Sequence, residues 1–222
     1  MNSLTGGAAE NAAMENAAAG HAAAELTAVN AIGPEPYVAL KEWAVAVKAL
    51  AEGKQIMVLR KGGIAEETRD FRLKSTRFFL LPAYEHQRPE LLKEAYRDDL
   101  KAALDGWTPG SPTVEIAAYA EAADDIEIFD QETVDRLANY HIWTDTFTEE
   151  RLKWKRKQPL HLLLLRVYRL ERPVTLPMRD AYTGCKSWVG LEDIPEGLRG
   201  QAVLSDAEFA RQAEEIRAAI AR

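Results

Sequence analysis

The chain has 222 residues, of which 47% are hydrophobic and 28% charged, and its formal net charge is −7. This composition is typical of a globular protein with a hydrophobic core, and the negative charge argues against a general polyanion binder. No apolar run approaches the roughly 20 residues that cross a bilayer, and one cysteine, Cys185, excludes an internal disulfide. We therefore expect a cytoplasmic protein without a membrane segment.

The charges are unevenly distributed along the chain. Residues 1–36 are rich in alanine, contain four glutamates and no lysine or arginine, and are interrupted by glycine and proline. This pattern predicts a disordered extension before a single globular domain of residues 37–222. Within that domain, seven basic residues lie between Lys54 and Arg77, and five more lie between Arg151 and Lys157.

The first half of the domain is predicted to contain two helices and two strands. Apolar residues at helical spacing predict a helix over Leu40–Leu50, which Gly53 ends. The apolar residues of Gln55–Leu59 predict a central strand, and Phe78–Leu81 predict a second strand. A further helix is expected over Arg88–Leu104.

The second half is predicted to be richer in strands. The expected elements are strands at Val114–Tyr119 and Ile126–Phe129, a short helix capped by Asp130, a helix from Thr148 to about Gln158, strands at Leu160–Leu170 and Ser187–Val189, and a final amphipathic helix behind the capping box at Ser205. Helices and strands do not alternate as regular βαβ units. The sequence therefore predicts an α+β fold with a mixed or barrel-like sheet and flanking helices.

The first candidate site is the turn Arg60-Lys61-Gly62-Gly63 at the end of a predicted strand. Two cationic heads and exposed backbone N–H groups in one turn are suited to a phosphate group. The spacing is not that of a P-loop. A strand-ending turn with solvated charges is the equally weighted alternative.

The second candidate is Tyr84-Glu85-His86-Gln87, which follows the other predicted strand. His86 is a possible general base, and this edge is also suited to reading a nucleobase. In an extended segment neighbouring side chains point to opposite faces, so Glu85 and His86 are not expected to form a dyad. A structural hydrogen-bonding role is the alternative.

Two further segments combine cations with tryptophan. Arg151, Trp154, Lys155 and Arg156 resemble a nucleic-acid surface, although a solvated basic helix with Trp154 in the core is favoured. Cys185, Lys186 and Trp188 place a thiol beside a cation, but no protease signature accompanies them. The histidines and Cys185 lack zinc-ligand spacing, so no metal site is predicted, and no cofactor is identified.

Four ordered blocks carry a resemblance to a bacterial family known as domain of unknown function 1802. They are ALKEWAVAVKALAEGKQIMVLRKGGI, FFLLPAYEHQ, PLHLLLLRVYRL and YTGCKSWVGL, within about residues 37–195. The resemblance implies a shared fold and site but no reaction. The chain has Pro82-Ala83-Tyr84 where the family pattern has Pro-Thr-Tyr, so position 83 carries no hydroxyl group.

A weaker likeness concerns the fold. The segment Leu40–Arg60, with a helix, a Gly-Lys pair and a strand ending in Leu-Arg, is similar to the opening of small RNA-associated barrels of the PUA and ASCH type.

Three functions remain open on the sequence alone, because no complete catalytic signature is present. The first is a module that binds RNA or a modified nucleotide, with phosphate contacts from Arg60, Lys61, Lys155 and Arg156 and base contacts from Tyr84, His86, Gln87 and Trp188. We expect charge reversal at Arg60 and Lys61 to abolish such binding without unfolding the protein. The second is a metal-dependent phosphodiesterase that uses Glu66, Glu67, Asp70 and His86. The third is a protein-interaction module without chemistry.

Overall fold

The fold is given by a computed structural model, which describes residues 30–31, 37–61, 71–154 and 157–222. Of the predicted extension, residues 1–36, only Asn30 and Ala31 are described, and they form a two-residue strand. Within the described ranges, no helix has both the length and the apolar character needed to cross a membrane.

The described chain forms one mixed sheet with helices on its flanks. Its strands are β1 (Asn30–Ala31), β2 (Val38–Trp43), β3 (Met57–Arg60), β4 (Arg77–Ala83), β5 (Thr113–Ile128), β6 (Leu160–Pro177), β7 (Trp188–Gly190) and β8 (Arg199–Ala202). Its helices are α1 (Ala44–Ala51), α2 (Arg97–Leu104), α3 (Gln131–Arg136), α4 (Asp145–Lys153) and α5 (Asp206–Ile220).

The strands pair in the order β1-β8-β6-β5-β4-β2-β7, and β3 also pairs with β6. Strands β2 and β4 are parallel, and the other pairs are antiparallel. On one edge of β6, β3 pairs with residues 161–164 and β8 pairs with residues 168–170. The result is a curled mixed sheet, which confirms the predicted α+β class.

Strands β5 and β6 are longer than the sequence pattern indicated. The two short strands predicted around Asp124 are one 16-residue strand, and β6 continues past Leu170 to Pro177 over 18 residues. The β5–β6 register shifts twice, between Ile116 and Ala118 and between Ala122 and Asp124. Because such bulges bend a strand and increase its twist, they account for the curl of this long pair.

The predicted helix over Leu40–Leu50 is wrong in its first turn. Leu40 to Trp43 belong to β2, and helix α1 begins at Ala44. β2 lies between β4 and β7, so the sheet satisfies its backbone groups on both sides. Ala39 and Leu40 are both fully buried, on the two faces of the sheet. Tertiary pairing therefore overrides the local helical pattern.

The predicted helix over Arg88–Leu104 is shorter than expected. Two 3-10 turns, Pro89–Leu91 and Glu94–Tyr96, precede α2. Between them Leu92 forms an isolated bridge with Trp143. Because the backbone around Leu92 is committed to this bridge, a continuous helix cannot pass through it.

Two predicted helix caps are confirmed. The Asp130 carboxylate accepts a hydrogen bond from the Thr133 backbone N–H at 2.8 Å, and the Ser205 hydroxyl accepts one from the Glu208 N–H at 3.2 Å. Each cap satisfies an N–H group that has no partner within its helix. Helix α5 then packs Ala213 and Ile216 against Leu162 and Leu164 of the sheet.

Gly200 in β8 is the point of closest packing against the sheet core. A Cβ atom at this position would lie 2.6 Å from a ring carbon of Tyr119 and 3.1 Å from the Arg169 carbonyl oxygen. Tyr119 is fully buried and stacks on Tyr168, so its ring has little room to move. We expect Gly200→Ala to lower the free energy of unfolding by about 1–3 kcal/mol in urea denaturation.

The matched control is Gly190→Ala in β7, where a Cβ atom would meet no described heavy atom within 4 Å. Both changes reduce the entropy of the unfolded chain alike. A loss of the same size at Gly190 would contradict the packing explanation.

Candidate functional site

The ends of several strands meet at one edge of the sheet. Because β2 and β4 are parallel, their carboxyl ends lie side by side, with Trp43 opposite Ala83. β7 is antiparallel to β2, which brings the loop before β7 to the same edge, where the Lys41 N–H donates to the Ser187 carbonyl at 2.8 Å. The topology therefore gathers side chains that are far apart in the sequence.

These segments enclose a cavity of about 360 Å³, called here the Arg60 pocket. It joins the two basic clusters of the sequence, since the Lys61 ammonium donates to the Leu152 carbonyl of α4 at 2.6 Å. Eight of the predicted site residues line it, namely Arg60, Lys61, Glu85, His86, Arg151, Trp154, Cys185 and Lys186. Their assignment to a binding role stays a prediction.

A buried ion pair forms one wall of the Arg60 pocket. Arg60 Nη1 donates to Glu42 Oε2 at 2.7 Å, and only 10% and 5% of the two side chains is exposed. The other Glu42 oxygen accepts the Trp43 backbone N–H at 2.8 Å. Arg60 Nε is buried and has no hydrogen-bond partner among the described residues. The guanidinium therefore retains one unsatisfied donor.

The remaining cations of the pocket are crowded and partly desolvated. Burial lowers the pKa of the Arg151 guanidinium, and the nearby Arg60 charge lowers it further. Burial also lowers the pKa values of the Lys61 and Lys41 ammonium groups, and Glu85 partly offsets this at Lys41. Within the described parts of the chain, Arg151 forms no ion pair. An additional negative charge in this pocket is therefore favourable.

The turn after β4 holds His86 at the pocket in an unusual conformation. His86 has a φ of 60°, a left-handed value that is uncommon for residues other than glycine. Gln87 stabilises this turn through two hydrogen bonds. Its side-chain amide donates to the Tyr84 carbonyl at 3.1 Å and accepts from the Val45 N–H at 3.2 Å. Gln87 thus has the structural role that the sequence left as the alternative.

Two predicted site residues that the structure describes, Tyr84 and Trp188, do not line the Arg60 pocket. Tyr84 stacks on Trp107 at a centroid distance of 5.5 Å and does not line the Arg60 pocket. Trp188 is only 7% exposed, and its indole N–H donates to the Arg72 carbonyl at 2.9 Å. Gly62, Gly63, Lys155 and Arg156 lie outside the described residues, as do Glu66, Glu67 and Asp70 of the phosphodiesterase alternative.

Six of the described residues that line the pocket were not predicted from the sequence. Three of them, Lys41, Glu42 and Trp43, lie together at the end of β2. They were assigned to a helix, in which Glu42 would be a solvated surface residue. A charged Lys-Glu pair directly after Ala39 and Leu40 was the available signal, since a strand that ends in charged residues often borders a site.

The burial of Arg60 and Lys61 corrects the expectation about charge reversal. The two residues are 8% and 2% exposed. A carboxylate at position 60 would face Glu42 in the interior, so reversal is expected to unfold the protein rather than to test binding. No group of three or more potential metal ligands occurs among the described residues.

Comparison with known proteins links the chain to one family. The model of the family described as Domain of unknown function (DUF1802) matches residues 39–215. A search of curated proteins found no match.

Among solved structures, the chain is similar to the ASCH protein of Zymomonas mobilis, with 13% identity, a TM-score of 0.43 and coverage of 81% of this chain and 94% of that chain. Two variants of that protein have TM-scores of 0.40 and 0.41, identities of 12% and 13%, and cover 73% and 72% of this chain and 92% of their own. Similarity at this level carries no functional inference.

Proposed function

The chain belongs to the family described as Domain of unknown function (DUF1802), and we propose that its Arg60 pocket binds a nucleotide through the phosphate group. The observation that carries this proposal is the charge of the pocket. Among the described residues, five cationic side chains line it, against the two carboxylates of Glu42 and Glu85.

Phosphate fits the unsatisfied groups of the pocket. Arg60 Nε has no hydrogen-bond partner among the described residues. Arg151 lines the same pocket and forms no ion pair within the described parts of the chain. Arginine recognises phosphate oxygens through paired N–H donors, and such charge-assisted bonds are stronger than neutral ones. Partial burial strengthens them further, because the interior screens charges less than water does.

The remaining walls are suited to the nucleoside part of the ligand. Trp43, Trp154 and His86 line the pocket together with the cations. Aromatic side chains stack on nucleobases without sequence preference. A cavity of about 360 Å³ lies in the size range of small-ligand sites. A nucleotide unit, free or within RNA, therefore supplies both the negative charge and the flat ring.

The proposal predicts a large effect of Arg151→Gln. This change removes a partly buried cation that forms no ion pair within the described residues, and we expect the variant to fold. We expect nucleotide affinity to fall about ten- to a hundredfold, the value of one hydrogen bond to a charged group. Calorimetric titration of the full chain with nucleoside monophosphates, short RNA and inorganic phosphate measures it.

Lys153→Gln is the matched control on the same helix. Lys153 is exposed and pairs with Glu149 at 2.7 Å, away from the pocket. The Lys153→Gln variant should bind nucleotides with the affinity of the wild type, and binding by both proteins should weaken as the salt concentration rises. No binding of any phosphate-bearing ligand by the wild type, or equal binding by both variants, would overturn the proposal.

A further inference from the structure

A second cavity, of about 450 Å³, lies apart from the Arg60 pocket and shares no lining residue with it. We call it the His161 pocket, and its walls include Phe71, Asp125, Glu127, Lys157, Gln158 and His161. Arg60 and His161 are register partners on β3 and β6. The two cavities therefore lie close together on neighbouring strands.

A histidine–aspartate pair lines the His161 pocket. His161 Nδ1 lies 2.7 Å from Asp125 Oδ1, and 11% of the histidine side chain is exposed. Because a carboxylate only accepts hydrogen bonds, the tautomer of His161 that bonds to Asp125 carries a proton on Nδ1, which leaves Nε2 as an acceptor in the uncharged ring. Asp125 thereby fixes Nε2 as a hydrogen-bond acceptor.

Gln158 supplies a second acceptor. Its Oε1 atom is buried and has no hydrogen-bond partner among the described residues. A buried carbonyl oxygen without a donor is costly, so a ligand that brings an N–H group gains from meeting it. Two neutral acceptors in one cavity call for a ligand that carries hydrogen-bond donors.

The charge and the walls of the His161 pocket narrow the ligand class. The carboxylates of Asp125 and Glu127 are balanced by the cations of Arg72 and Lys157, in contrast to the excess of cations in the Arg60 pocket. Phe71 packs its ring against His161 at a centroid distance of 5.2 Å and adds an apolar surface. A neutral, planar ligand suits this surface better than an anion does.

We propose that the His161 pocket is a second binding site, which takes an amino-bearing nucleobase such as adenine or cytosine. The exocyclic amino group donates to Gln158 Oε1 and His161 Nε2, and the ring rests on the apolar wall. Hypoxanthine and uracil present a carbonyl oxygen at the corresponding position, which would face these acceptors unpaired. The site is independent of phosphate binding in the Arg60 pocket.

Nucleosides test this site without the phosphate group. In ligand-observed NMR titrations of the full chain, adenosine and cytidine should bind about tenfold more tightly than inosine and uridine. Inorganic phosphate should not displace adenosine, so failure of the phosphate proposal leaves this test intact. Equal binding of all four nucleosides, or no binding, would overturn the assignment.

Gln158→Leu separates a binding role from a structural one. The change removes a buried acceptor without a described partner, so thermal stability should hold or rise while adenosine affinity falls about tenfold. Gln201→Leu, the same substitution at an exposed position of β8, should change neither property. Unchanged adenosine affinity in Gln158→Leu would refute the proposed contact.

Discussion

Glu42→Gln should be among the most destabilising single changes in this protein, with a loss of about 3–5 kcal/mol in the free energy of unfolding. The Arg60 guanidinium is about nine-tenths buried against this carboxylate. Without it, Arg60 would remain in the interior beside Arg151 and Lys61 and would lose its ion pair with Glu42. Urea denaturation of the purified variant measures the effect.

Arg60→Gln should cost less than Glu42→Gln, and this asymmetry is the sharper test. When Arg60 is removed, the Glu42 carboxylate still has the positive charge of Arg151 nearby. Asp98→Asn serves as the exposed control, since Asp98 pairs with Lys101 in solvent and should change stability immeasurably. Equal losses of stability in Glu42→Gln and Arg60→Gln would show that the other cations of the pocket do not stabilise the Glu42 carboxylate when Arg60 is removed.

The second large effect is a loss of stability in acid caused by His141. Burial lowers the pKa of His141 from 6.5 to about 4, and the nearby Lys93 ammonium adds to the shift. Nε2 of this ring is buried and unpartnered among the described residues. As the pH falls below 6.5 the unfolded chain takes up a proton that the folded protein resists, so stability falls until about pH 4. The total loss is about 3 kcal/mol.

His141→Asn is the variant that isolates this titration. His141 Nδ1 accepts the Trp143 N–H at 3.2 Å, and an asparagine side-chain oxygen can take over that bond. The variant retains the other titrating groups, so the difference in pH dependence reports His141 alone. Urea denaturation between pH 4 and pH 7 should show a shallower decline for the variant. Parallel curves would mean that folding does not lower the pKa of His141.

Interactions between residues close together in the sequence were sufficient to predict several elements of the fold. Asp130 and Ser205 begin helices because each cap side chain bonds to a backbone N–H three residues later, a contact that needs no distant partner. The apolar run Leu160–Leu170 likewise indicates a long strand by itself. The family resemblance carried by the four blocks agrees with the match over residues 39–215.

The candidate site was predictable in part. Arg60, His86 and Arg151 were singled out because cations and polar groups clustered at the ends of predicted elements, and all three line the Arg60 pocket. Trp188 has the same kind of sequence environment, yet it packs in the interior. Sequence composition shows that a side chain can bind a ligand, but the direction in which that side chain points depends on its strand neighbours.

The sequence by itself determined the α+β class, the caps and the basic clusters, because these follow from contacts within a few residues. Only the tertiary structure decided that Leu40–Trp43 form a strand, that Glu42 is buried against Arg60, and that β6 presents His161 to Asp125. The physical reason is the same in each case. Pairing between distant strands supplies backbone hydrogen bonds and burial that outweigh local helical preference. A local sequence pattern does not show which distant strand will be the neighbour in the sheet.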